Sequence, residues 1–159
     1  MTTSQEPGGG VGHTGFMNTP ILPPTIAPPA ANYVHAVLSV DPSRILHTSG
    51  VVPTRADGTV PDTIEEQAEV VWVNLTAILA EADLPLDSVA SITTYVVVDQ
   101  LAKLPVVMAA RDRALGGHRA ASTLVTVPAL ARPEWLMEVS LVAASFATTA
   151  ETTPRDECP

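Results

Sequence analysis

The chain has 159 residues, enough for one domain with flanking segments. Hydrophobic residues make up 46%, enough for a core, and the formal net charge is −9 with no clustered Lys and Arg, which argues against nucleic-acid and membrane partners. The single cysteine, Cys158, excludes an internal disulfide and speaks against a thiolate zinc site. Together with the lack of a basic, apolar leader, this leads us to expect a reducing, cytoplasmic setting.

Residues 1–32 are rich in glycine and proline, with Gly8, Gly9 and Gly10 in a row and prolines at 7, 20, 23, 24, 28 and 29. Proline removes backbone donors and glycine adds chain entropy, so regular structure is not expected there. The glycines have no preceding strand and are not a nucleotide loop. Residues 33–39 are strand-like, and Asp41, Pro42 and Ser43 supply a turn. Residues 45–49 form a second strand stopped by Gly50, so the two read as a hairpin.

Asp62 with Glu65, or Thr63 with Glu66, can open a helix. Ile64, Ala68, Val71, Leu75, Ile78 and Leu79 recur at helical spacing to about Glu81. Residues 91–98 are β-branched and aromatic and predict a buried strand. A second helix covers 104–115, ended by Gly116 and Gly117, and strands follow at 122–127 and 135–144. Residues 147–159 read as a tail, which leaves a domain at 33–146. The order β-β-α-β-α-β-β predicts an α+β fold, one sheet with both helices on one face. The uncovered face then calls for a further subunit.

Five segments in this order resemble the reactive-intermediate deaminase (RidA/YjgF) family. They are 33–37 (YVHAV), 47–53 (HTSGVVP), 64–68 (IEEQA) with 73–75 (VNL), 87–89 (DSV), and 136–144 (LMEVSLVAA). The resemblance implies a chorismate-mutase-like fold, one mixed β-sheet with two helices packed on one face. It also implies a homotrimer with a central barrel, small-molecule substrates and clefts between subunits. The reaction it implies is hydrolysis of a reactive imine or enamine to a carbonyl compound and ammonia, without metal or organic cofactor.

On the same resemblance, Glu138 orients and activates the attacking water, as a carboxylate in an apolar strand can. The plainer reading of Glu138 is an outward residue on a half-exposed strand, or half of an interface ion pair. Ser49 and the Gly50 backbone frame the cleft; the alternative is a strand end and its turn glycine. Tyr33 walls the cleft, and is otherwise an ordinary edge tyrosine.

Two family positions depart. The arginine that clamps the substrate carboxylate falls on Ser122, or on Ala121 with a one-residue shift, and the cleft asparagine falls on Met108. Losing a charged hydrogen bond costs about 1.5–3 kcal/mol, so simple 2-imino acids should bind roughly 10- to 100-fold worse. A neutral or more apolar intermediate suits Met108 and Leu124. Arg119 lies two or three residues early, roughly 7–10 Å along a strand, and reads first as a loop residue. His47 shares a face with Ser49 by alternation and is either a packed histidine or an acid–base group. A non-catalytic trimer, binding a small molecule or using its Pro-rich lead as a docking segment, is the rival function.

Overall fold

The computed structural model describes residues 17–147. Cys158, the glycine-rich stretch 8–12 and all of the 147–159 segment but Ala147 lie outside them. Of the two possible caps, Thr63 opens the first helix, α1 (Ile64–Glu81): its hydroxyl accepts the Glu66 N–H at 3.3 Å. Ile64, Ala68, Val71, Trp72, Leu75 and Leu79 form the buried stripe of α1. Each fully buried aliphatic side chain of this kind contributes about 1.5–3 kcal/mol, so packing rather than helix propensity holds α1 in place. Ile78, expected in the stripe, is left on its exposed margin, and Trp72 takes up the packing instead.

The main sheet has four strands: β3 (Arg44–His47), β4 (Val89–Val97), β5 (Ala121–Val127) and β6 (Met137–Ser145), in the order β3-β6-β4-β5. It is mixed: β6 runs antiparallel to β3 and β4, while β4 and β5 are parallel. The parallel pair needs a crossover, supplied by a 3₁₀ turn (Val98–Lys103) and the second helix, α2 (Leu104–Ala114). Pro105 sits in the first turn of α2, where its missing N–H costs nothing. Lys103 donates to Glu65 at 2.6 Å, joining the crossover to α1 and holding the Glu65 carboxyl below its usual range.

Side-chain alternation divides the sheet cleanly. Ile92, Val96, Met137, Val139, Leu141 and Ala143 are buried among the residues of α1 and α2. Ser91, Thr93, Tyr95, Glu138, Ser140 and Val142 are only half-buried and form the other face, which carries no helix among the described residues.

Two expectations are corrected. The region expected to be irregular contains β1 (Asn18–Ile21), and the strand after it, β2 (Ala36–Ser39), pairs with β1 and not with β3. Proline is tolerated because, among the described residues, the ribbon has two strands, both of them edges. Asn18 fixes it in place: its side-chain oxygen accepts from the Ser39 hydroxyl at 2.6 Å, and its amide donates to the Ser88 and Ala144 carbonyls at 2.9 and 3.2 Å. Asp41, in the left-handed region at φ 50°, then redirects the chain into β3.

Candidate active site

Tyr33 reaches the main sheet through its neighbour. Val34 makes a parallel bridge with Ala121, and its N–H donates to the Ala120 carbonyl at 3.1 Å, which lays the 31–34 segment along the start of β5. Ser122 and Leu124 share the helix face of β5, registered with buried Ile92 and Thr94. Tyr33, Met108, Arg111, Ser122 and Leu124 therefore meet in one cleft of about 380 Å³. Four of these were expected from sequence; Arg111 was not. Its side chain is 7% exposed. Nη1 donates to Ser122 Oγ at 3.0 Å, Nη2 to the Asn32 carbonyl at 3.2 Å, and Nε and Nη2 to one Asp112 oxygen at 2.9 and 2.8 Å.

Glu138 and Gly50 are elsewhere. Glu138 is registered with Tyr95 on the helix-free face. His47 pairs with Val142 and Val51 with Val139, so four steps of chain oppose three and one residue is extra. This bulge is held by Thr48, whose N–H donates to the Leu141 carbonyl and whose hydroxyl accepts the Leu141 N–H. It interrupts the alternation expected to put His47 and Ser49 on one face. Both residues are exposed.

The bulge also presses Gly50 against Glu138. A Cβ at position 50 would overlap the Glu138 carboxylate. Asn74 on α1 secures the outgoing chain, donating to the Val52 and Thr54 carbonyls at 3.3 and 2.9 Å. Arg119 donates to the Tyr33 carbonyl at 2.7 Å and lines a different cavity, of about 620 Å³, with His118 and Asn18. That cavity contains none of Ser49, Gly50 or Glu138. Among the described residues no three His, Cys, Asp or Glu side chains gather as a metal site, and no helix is long and apolar enough to cross a membrane.

The endoribonuclease L-PSP family model matches residues 25–145. The chain belongs to this family, the RidA/YjgF group. It is similar to the Rid-family protein YyfB from Yersinia pestis, at 30% identity and TM-score 0.74, covering 80% of this chain and 98% of that one. Yeast YEO7 matches at 25% identity and TM-score 0.57, over 80% and 98% of the two chains. Escherichia coli TdcF, solved with bound serine, shares the fold at 21% identity and TM-score 0.59, over 82% and 98%. No curated protein matches the sequence significantly.

In this chain Tyr33 lines the cleft, Glu138 stands on β6 outside it, and the β5 wall of the cleft carries Ser122 and no arginine. The guanidinium beside Ser122 comes from α2 instead. No sequence signal marked Arg111: two basic residues in the last turn of a helix are ordinary partners of the helix dipole. Asn74 was noted within a RidA-like segment, but its role as a loop anchor depends on a contact between distant residues.

Proposed function

We propose that this chain hydrolyses a reactive imine or enamine at a cleft assembled from two subunits of a homotrimer. One observation carries the reading. In a single subunit the Tyr33–Ser122 cleft lies on the helix side of the β5 edge, whereas Glu138 and Gly50 lie on the helix-free face. A site that uses both halves needs a second copy of the chain, and the helix-free face is the surface that such a copy would cover. Membership of the RidA/YjgF group supports small-molecule chemistry. The family's other name refers to RNA cleavage, which a chain of net charge −9 is poorly suited to perform.

In this mechanism a water lies between Glu138 and the imine carbon. The Glu138 carboxylate takes a proton as the water oxygen bonds to carbon, and the C=N electron pair moves to nitrogen. That proton passes to nitrogen and gives a carbinolamine; the carboxylate then takes the hydroxyl proton and delivers it to nitrogen as the C=O bond forms and the C–N bond breaks, so that a carbonyl compound and ammonia leave. Ser49 and the Gly50 N–H hold a polar atom of the substrate, and Tyr33 walls the site. His47 and Arg119, both exposed, have no step in this scheme.

Ammonia release tests the reading, measured on freshly generated 2-iminopropionate and on neutral imines of increasing size. Glu138→Gln should lower kcat by about 10²- to 10⁴-fold, the range for loss of a general base. Turnover unchanged in Glu138→Gln would sink the mechanism. If no substrate turns over, and deleting residues 1–32 removes biological activity while Glu138→Gln does not, the docking reading replaces it.

A further inference from the structure

We infer that Arg111 and Ser122 form a two-pronged carboxylate-binding pair, so that this cleft takes an apolar organic acid. The inference deepens the proposed function, naming the substrate class of the same cleft, and it reverses the expectation of a neutral ligand. A guanidinium has five N–H donors. Arg111 uses four of them, two on Asp112, one on Asn32 and one on Ser122, which leaves one Nη1 N–H without a partner among the described residues. The Ser122 oxygen accepts from Arg111 and donates to nothing among the described residues, so its own O–H is free as well. Two free donors thus lie on atoms 3.0 Å apart, at the wall of a cleft. That pairing matches the two oxygens of a carboxylate.

The charge balance agrees. Asp112 offers Arg111 only one oxygen and is 37% exposed, whereas Arg111 is 7% exposed. Solvent screens the Asp112 charge more than that of the buried cation, which leaves positive potential at the cleft. Beyond the pair, the cleft is lined by Ala31, Tyr33, Met108, Thr123 and Leu124, with Thr123 the one further aliphatic hydroxyl. The ligand therefore has an acid head and an apolar body, and the cleft volume suits a small molecule.

The test is binding to the full-length protein, followed by calorimetry, of 3-phenylpropionate beside 3-phenylpropionamide and of 4-methylpentanoate beside its amide. The acids should bind at least about tenfold tighter than their amides, the effect of one charge-assisted hydrogen bond. Arg111→Met should abolish the preference and Arg111→Lys should restore part of it, since ammonium supplies charge without the fork. If Arg111→Met does not fold, Ser122→Ala, which keeps the cation and removes one prong, should reduce the preference severalfold. Equal binding of acid and amide, binding of neither, or an acid preference that survives in folded Arg111→Met and in Ser122→Ala would each overturn the inference. Because no turnover is required, acid preference without ammonia release would sustain this pair and sink the hydrolase. Glu138-dependent turnover without acid preference would do the reverse.

Discussion

A single methyl group at position 50 reports on how Glu138 is held. Gly50→Ala places a Cβ where the Glu138 carboxylate now lies, and the end of a flexible side chain yields more readily than backbone. The expected result is a melting temperature within a few degrees of the parent, from a strain of roughly 1 kcal/mol, with ammonia release as low as in Glu138→Gln. Normal turnover in Gly50→Ala would separate the carboxylate's position from catalysis. At this scale the sequence was readable where a residue broke its surroundings. Glu138 stands out as a charge in an apolar strand, Tyr33 by its place in a RidA-like segment, and Ser122 by standing where an arginine was expected. Arg111 breaks no pattern. It is distinguished only by burial, which depends on β5 and the 31–34 segment closing over α2.

Elements are fixed to one another by polar side chains that hydrophobic periodicity does not reveal. Gln67 is fully buried in the α1 stripe. Its amide donates to the Pro61 and Glu134 carbonyls at 2.7 and 2.8 Å, and its oxygen accepts the Leu136 N–H at 2.8 Å. It thereby ties both the entry to α1 and the entry to β6 to one helix turn. Gln67→Ala should cost about 3 kcal/mol in urea unfolding, because it leaves buried backbone groups unpaired as well as a cavity. Gln67→Leu, which fills more of the space, should recover less than half of that, since the unpaired groups remain. A loss below 1 kcal/mol in both variants would show that water replaces the amide.

The helices and long strands were legible because each keeps its period for many residues. The pairing of the short N-terminal strands was not. Adjacent runs with a turn between them predict a hairpin, yet Asn18 and the left-handed Asp41 send β2 to β1 and β3 to β6.

For the molecule as a whole, the helix-free face and the exposed apolar residues Met17, Leu38 and Ile45, at 67%, 52% and 54%, present surface that a lone subunit would leave wet. A threefold assembly predicts a sedimentation mass of about 50 kDa for a subunit of 16.6 kDa. A stable 16.6 kDa species at micromolar concentration would remove the shared cleft and with it the proposed hydrolysis. One consequence of the strand order concerns synthesis. The last of the described strands, β6, lies between β3 and β4 at the middle of the sheet. Until residue 145 has been translated, β3 has no hydrogen-bonded neighbour among the described strands of that sheet and the inner edge of β4 stays open. The nascent chain thus carries an unpaired strand edge through most of its time on the ribosome, the form in which a β-protein is most exposed to wrong partners. This sheet can close only once β6 has emerged.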